Sequence, residues 1–297
     1  MMTLCSEKLS YKTSNIVPMN FQIYHPEDAL RPYVKQYYYW EDNTRGVIQL
    51  PQSLFALGDQ YMVFIQEGEA TVKPANHPAY TLPANSIIGH FTCACQLQVK
   101  GPVKMVIVQL NVYGCYKLLG LDTPAFTNYY RNLDVTCGDM WANISARIAK
   151  VRTPDGIIPV LNNAYRDCLE AGSRSLRQVD EMVDYLVARK GNISLDELAH
   201  IFHLSRPTME RIFTSVTGIP PQLFTRMTRF KTALKSLQQL NFPQWQATMS
   251  RNLYYNQAMF VKDYLLFNGE LPDYFEPVAT TIAQMPSGNR QMVAVAS

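Results

Sequence analysis

Residues 194–221 hold the most restrictive pattern in the sequence, two short amphipathic helices joined by a tight turn. Ser194 is a favourable N-cap, and Glu197 three residues later completes a capping box. The first apolar face follows at helical spacing, at Leu195, Leu198, Ala199 and Phe202. This spacing predicts a short helix that buries one side.

A second helix is predicted directly after the first. Ser205 can cap it, and Pro207 is tolerated because it lies in the first turn. Its apolar face consists of Met209, Ile212, Phe213 and Val216. Gly218 followed by Pro220 and Pro221 ends the helix. The pair predicts a helix-turn-helix, whose second helix can lie in the major groove of DNA.

This segment resembles the DNA-binding domain of AraC/XylS-type transcription regulators. The matching residues are Leu195, Leu198, Ala199, Leu204, Ser205, Arg211, Phe213, Thr217, Gly218 and Pro221. The family continues with a linker helix that carries Arg and then Ala four residues later, which Arg229 and Ala233 fit, with Leu237 four further on. The resemblance implies an all-α DNA-binding domain over 177–276, with two helix-turn-helix motifs.

Residues 254–275 resemble the second motif of the family. The matching residues are Tyr255, Gln257, Phe260, Gly269, Pro272 and Phe275. Asn256 replaces the usual Asp, Leu253 replaces a turn Gly, and Leu265 and Leu266 replace a basic pair. The apolar face is expected at Met259, Phe260, Tyr264 and Phe267. We expect this half to fold and to read DNA more weakly.

Base contacts are expected from the first two turns of each recognition helix, opposite its apolar face. In helix 205–217 these positions are Arg206, Pro207, Glu210 and Arg211, and in helix 256–267 they are Gln257, Ala258, Val261 and Lys262. Thr214 and Lys262 are phosphate candidates. Arg211 could instead pair with Glu197, Glu210 could be an ordinary solvated side chain, and Gln257 could be structural.

Charge distribution is consistent with this interpretation. The 297 residues suggest about two domains, and 47% hydrophobic residues are enough to build cores. Residues 1–173 contain 14 basic and 14 acidic residues, whereas residues 174–297 contain 13 and 10. The net charge of +3 therefore lies in the DNA-binding half. This excess is small, so we expect binding that is salt-sensitive or dependent on dimerisation.

The region 20–135 is predicted to be a β-rich effector-sensing domain. Short strands are expected at 61–65, 70–73, 78–82, 86–91, 94–99 and 103–110, with a turn at 67–69. The last strand is apolar on both faces and is therefore expected to be central. Such strands favour a small sandwich or jelly roll, and AraC-type proteins often carry a cupin-like domain at this position.

The aromatic run Tyr37–Trp40 has two interpretations. It could line a small-molecule pocket, or it could be a strand that packs its rings into the core. Trp40 and Tyr61 are the residues we select as the wall of an effector pocket. Cys93 and Cys95 could form a metal or redox pair, but two ordinary strand residues are the preferred interpretation.

Residues 136–172 are predicted to be helical and to form a dimerisation region, with packing against the sheet as the alternative. Residues 277–297 are expected to be a flexible tail. The sequence has no apolar leader and no apolar run long enough for a membrane helix, which favours a cytoplasmic protein without membrane contact.

No pattern in the sequence indicates an enzyme. The histidines His77 and His90 do not form the cluster that metal-dependent cupins use, and no nucleophile elbow, P-loop or zinc-protease motif is present. We therefore expect no catalytic residues, no metal and no cofactor.

The sequence predicts an α+β protein, with an N-terminal cupin-like or jelly-roll domain, then helices, then a C-terminal all-α double helix-turn-helix domain. The expected function is that of an AraC-type transcription regulator controlled by a small-molecule effector. Its expected partners are double-stranded DNA, a second copy in a homodimer, and RNA polymerase. Two alternatives remain, a regulator-like protein that acts through protein partners and a cupin-type enzyme.

Overall fold

The computed structural model describes residues 21–50, 57–172, 174–237 and 257–269. Several predictions fall outside these ranges, namely those for Leu253, Tyr255, Asn256, Pro272, Phe275 and the tail 277–297. Among the described residues, no helix is both long enough and apolar enough to cross a bilayer.

The N-terminal part is one antiparallel sheet. Its strands are β1 (Phe21–Tyr24), β2 (Val34–Leu50), β3 (Gln60–Pro74), β4 (Tyr80–Thr81), β5 (Asn85–Ile88), β6 (Cys95–Leu110) and β7 (Tyr130–Asn132). The strand order is β1-β2-β6-β3-β5-β7, and β4 pairs with β3. The expected centrality of the apolar run 103–110 is confirmed, because β6 lies between β2 and β3.

Two long strands replace pairs of short ones. The expected turn at 67–69 is wrong, because these residues form an irregular part of β3 that stays paired with β6 through Glu67 and Glu69. Likewise, the expected strands 94–99 and 103–110 fall, from Cys95 onward, in the single strand β6, which passes through Gly101 without reversing direction. Glycine and charged residues occur in bulges as well as in turns. Only the pairing with the neighbouring strand shows which of the two a segment forms.

The two faces of the sheet bury different clusters. The first, here the strand cluster, takes its residues from strands and their loops, including Trp40, Tyr61, Ile88, Phe91 and Ile107. The second, here the helix-packed cluster, includes Tyr37, Tyr39 and Met62, which pack against helices. The aromatic run of β2 thus alternates between two cores, as the period of a strand requires.

Helices follow the sheet, with two short ones and then two longer ones. They are α1 (Gly114–Leu119), α2 (Leu133–Thr136), α3 (Gly138–Lys150) and α4 (Pro154–Glu170). Trp141, Ile148, Leu161 and Tyr165 are buried in the helix-packed cluster. Tyr37 also donates a hydrogen bond to Asn162 Oδ1 over 2.6 Å. In this chain α3 and α4 pack their apolar sides on their own sheet.

The C-terminal part is helical. Its described helices are α5 (Val179–Ala188), α6 (Leu195–Ile201), α7 (Arg206–Thr217), α8 (Pro221–Leu237) and α9 (Gln257–Asn268). Ser194 caps α6 by accepting from the Glu197 amide over 3.1 Å. Ser205 caps α7 by accepting from Thr208, and Gly218 ends α7 in the left-handed conformation. Caps and stop residues act locally, which is why the sequence places the ends of these helices well.

Candidate nucleic-acid interface

Helix α7 presents its N-terminal half to solvent. Arg206, Pro207 and Arg211 are exposed, whereas Met209 and Phe213 on the opposite side are fully buried. The buried side packs into a core shared by α5, α6, α8 and α9, here the C-terminal core, which also includes Val112, Tyr113 and Tyr116 in and next to α1. A helix fixed by one side and open along the other has the geometry that groove insertion requires.

Two of the expected base readers, Arg206 and Glu210, already pair with each other. Arg206 Nε lies 2.9 Å from Glu210 Oε1, one turn along α7, and Arg206 Nη1 lies 3.3 Å from Asp196 Oδ1 on α6. These carboxylates raise the pKa of Arg206. Exposed pairs of this kind are weak and exchange readily with phosphate or a base edge.

Arg211 differs from Arg206 in its surroundings. It is exposed, and within the part of the chain that the structure describes it forms no salt bridge, including none with Glu197. Thr214, the phosphate candidate one turn later, is half-buried. An unpaired guanidinium on the open face of α7 is the best-placed group for guanine recognition, which uses two parallel hydrogen bonds.

Helix α9 is oriented differently from the sequence-based expectation. Phe260, Val261 and Phe267 are buried, while Met259 is 43% exposed. Val261 is completely buried in the C-terminal core, a position that does not suit the base contact expected of it. The helix carries apolar residues on all sides, so its periodicity does not select one face. Packing against α8 selects it instead.

The other residues of α9 expected to contact DNA are partly accessible to solvent where the structure describes them. Ala258 and Lys262 are half-buried, and Leu265 is 40% exposed. The side chain of Gln257 lies outside the described residues. The buried carboxylate of Asp263 pairs with Arg226 of α8, with Arg226 Nε 2.6 Å from Asp263 Oδ1. The sequence did not reveal this pair, which holds α9 against α8.

Both candidate effector residues lie in the strand cluster. Trp40 and Tyr61 are at 0% and 1% exposure, on strands β2 and β3. Tyr38, whose ring packs on the same cluster, is hydrogen-bonded to Gln109 Oε1 over 3.1 Å. The rings of Trp40 and Tyr61 are therefore buried among core residues, and the cluster has polar groups at one end.

The polar end of this cluster continues to helix α8. Gln109 donates to Asp59 Oδ2 over 2.6 Å, and Lys35 Nζ lies 2.6 Å from Asp59 Oδ1. Lys231 of α8 donates to the carbonyl of Leu57 over 2.8 Å, and burial lowers its pKa. Asp59 is nearly fully buried, and its charge opposes the lowering of the Lys231 pKa by burial.

Cys93 and Cys95 are both buried strand or loop residues. Cys93 donates to the Ala75 carbonyl over 3.4 Å, and burial raises the pKa of Cys95 to about 12. Within the described ranges, no group of three or more His, Cys, Asp or Glu side chains is arranged to hold a metal ion.

One family model matches part of the chain. Residues 22–132 match DUF6597, a domain of unknown function. The match covers the sheet from β1 to β7 together with helix α1, and it ends at Asn132, directly before α2. No curated protein matches the sequence significantly.

Several solved structures are distantly similar to this chain. ToxT from Vibrio cholerae O395 is 10% identical, with a TM-score of 0.41 over 81% of this chain and 96% of that one. The AraC-like transcriptional activator CuxR is 10% identical, with a TM-score of 0.33 over 77% of this chain and 84% of that one. Wild-type ToxT from strain SCE256 bound to an unsaturated fatty acid is 11% identical, with a TM-score of 0.36 over 88% and 100%.

Proposed function

We propose that this protein is a DNA-binding transcription regulator that reads the major groove with helix α7. The observation that supports this most is the open N-terminal half of α7. There Arg206, Pro207 and Arg211 are exposed, while the opposite side of the helix is anchored in the C-terminal core. Arg211 is the base reader, and Arg206 and Glu210 join it after their surface pair opens.

Helix α9 has a smaller part in this proposal. Lys262 contacts phosphate, and Gln257 and Ala258 lie at the start of the helix where base edges are reached. Val261 is left out because it is buried. The modest net charge of +3 means that few phosphates are neutralised, so the affinity depends strongly on the readout by α7.

The proposed sensing function belongs to the sheet domain. An effector binds at the strand cluster, with its apolar part against Trp40 and Tyr61 and its polar part toward Asp59 and Gln109. Two such regulators form a homodimer and contact RNA polymerase at the promoter in the cytoplasm. No enzymatic activity is part of the proposal.

The direct test uses DNA selected by the protein itself. The full-length chain selects duplexes from a random-sequence pool, and fluorescence anisotropy then measures its affinity for the selected and for unrelated duplexes across a salt series. We expect the selected duplex to bind at least about 1,000-fold more tightly, with affinity falling steeply as salt rises. Failure to enrich any sequence would refute direct sequence reading.

One observation favours a second candidate, action through a protein partner. Helix α9 exposes two apolar side chains, Met259 at 43% and Leu265 at 40%, where a DNA reader normally carries polar groups. Exposed apolar residues on one helix suit a protein contact better than a phosphate backbone. Met259→Glu should leave DNA selection by α7 intact but abolish promoter regulation in cells if this candidate is correct.

A further inference from the structure

The C-terminal end of helix α7 is held by side chains from the sheet domain. Three consecutive carbonyl oxygens, those of Val216, Thr217 and Gly218, each accept a hydrogen bond from outside the C-terminal domain. Their donors are Thr123 Oγ1 at 3.1 Å, His90 Nε2 at 2.5 Å and Thr127 Oγ1 at 3.0 Å. The last carbonyls of a helix have no partners within the helix, so here another domain supplies them.

The contact is tight as well as hydrogen-bonded. Gly218 has a φ of +89°, and a Cβ at this position would lie 3.0 Å from the carbonyl oxygen of Thr123. Gln60 of β3 adds to the same node, since its Nε2 lies 3.5 Å from Thr217 O and its Oε1 accepts from the Cys115 amide. The end of α7 is therefore fixed from several directions.

The loop that carries His90 is itself braced. Asn128 Oδ1 accepts from the Thr92 amide over 2.8 Å, Asn128 Nδ2 donates to Thr92 Oγ1, and the Asn128 amide donates to His90 O. Gly89 runs so close to Phe126 that an added Cβ would lie 2.1 Å from the Phe126 carbonyl oxygen. Segments 89–94 and 123–128 thus form one rigid unit, here called the clamp.

The clamp also reaches the second helix. The amide of Ala94 donates to the carbonyl of Leu266 over 2.8 Å. Leu266 lies in the last turn of α9, where carbonyls again lack partners within the helix. One loop of the sheet domain therefore contacts the C-terminal ends of both helices. It bonds to α7 through His90 and to α9 through Ala94, four residues later in the loop.

We propose that the clamp positions α7 and α9 relative to each other, so that the sheet domain sets the spacing between the two DNA segments they contact. Thr123 and Thr127 are positioning residues, because they touch the helix end and lie away from its open N-terminal face. The inference rests on the proposed function. It adds that the distance between contacts is decided by the domain interface as well as by linker helix α8.

Tyr61 connects the clamp to the proposed effector site. Tyr61 pairs with Ile88 across β3 and β5, and the clamp begins one residue after Ile88. Gln60, the residue before Tyr61, bonds to the α7 carbonyl. A ligand that moves Tyr61 would therefore act close to the helix end.

The first test measures the clamp without DNA. Thr123→Val combined with Thr127→Val removes both hydroxyls at nearly constant volume, and Thr71→Val on β3 is the matched control. Hydrogen exchange of the full-length protein should become about tenfold faster for amides in the last turn of α7 in the double variant. The control should leave those amides unchanged. Unchanged exchange in the double variant would overturn the clamp.

The second test measures spacing with the duplex that the wild-type protein selects. Inserting base pairs between the two contacted segments should weaken wild-type binding most near half a helical turn, about 5 bp. The double variant should lose most of this dependence, while its affinity for a duplex with only the α7 segment stays within about twofold of wild type. An identical spacing dependence in both proteins would refute the positioning role.

The two failures are distinguishable. If the wild-type protein selects no duplex, the proposed function fails and the positioning role fails with it, whatever the exchange data show. If the wild type selects DNA and the variant behaves identically in both tests, only the clamp inference fails.

Discussion

The imidazole Nε2 of His90 lies 2.5 Å from the carbonyl oxygen of Thr217, the last residue of α7. A carbonyl only accepts hydrogen bonds, so the neutral ring must carry its proton on Nε2. Both residues are completely buried. This bond joins the sheet domain to the candidate recognition helix, at a side chain whose charged form is disfavoured by burial.

Stability should therefore fall as the pH falls below neutral. Burial lowers the pKa of His90 to about 4, although the nearby Asp59 carboxylate opposes the shift. In the unfolded chain the pKa is about 6.5, so between these values the unfolded state binds more protons. The free energy of unfolding should decrease by up to about 1.4 kcal/mol per pH unit in this window.

Denaturant titrations at several pH values would measure this dependence. His90→Gln should flatten the slope between about pH 6.5 and 4, because the titrating group is removed. His77→Gln changes an exposed histidine and should leave the slope as in the wild type. An equal slope in His90→Gln would show that other groups cause the acid sensitivity.

Arg211→Ala should weaken binding to the selected duplex by about 10- to 100-fold and relax specificity at one base pair. The reason is that its guanidinium lies on the open side of α7 without a salt bridge among the described residues. Arg147→Ala, an exposed arginine on α3, is the control and should bind as the wild type does. Anisotropy measures both, and a uniform loss over all sequences would assign Arg211 to phosphate.

The Arg226–Asp263 pair should stabilise the docking of α9. Arg226→Met leaves the buried Asp263 carboxylate without this partner and should lower the free energy of unfolding by about 1–3 kcal/mol, since the arginine itself is partly exposed. The double variant with Asp263→Leu should be more stable than the sum of the single changes predicts. Strict additivity in chemical denaturation would show that the two side chains are not coupled.

Gly218→Ala should destabilise the protein more than Gly172→Ala does. Both glycines have positive φ, but an added Cβ at Gly218 meets the Thr123 backbone, while nothing lies within 4 Å of one at Gly172. Gly172→Ala carries only the conformational cost of about 1 kcal/mol. We expect Gly218→Ala to cost at least about twice that, and equal thermal shifts in the two variants would mean that the interface adjusts.

The described thiols should react slowly with a thiol reagent at neutral pH. Burial raises the pKa of Cys137 to about 12 and that of Cys168 to about 11, so little thiolate is present. In a Cys5→Ser background, the folded protein should react more than about 100-fold more slowly than the same protein in denaturant. Fast labelling of the folded protein would identify a reactive thiol and revive the redox interpretation of Cys93 and Cys95.

Sequence patterns predicted some parts of the candidate site and missed others. The N-caps Ser194 and Ser205 and the stop at Gly218 depend on bonds within a few residues, and the helix ends lie where these residues indicate. The face of α9 was missed because apolar residues surround that helix. Only its contact with α8 decides that Val261 is buried and Met259 is exposed.

The sequence by itself determined the class of architecture, a sheet followed by helices, together with the ends of α6 and α7 and the central place of β6. Those features follow from periodicity, capping and turn chemistry, which act over short distances along the chain. Tertiary structure alone decided that His90, Thr123 and Thr127 converge on the end of α7. These residues are separated from Thr217 by about ninety positions or more. A local sequence pattern does not predict which distant carbonyl will accept a hydrogen bond from a buried donor.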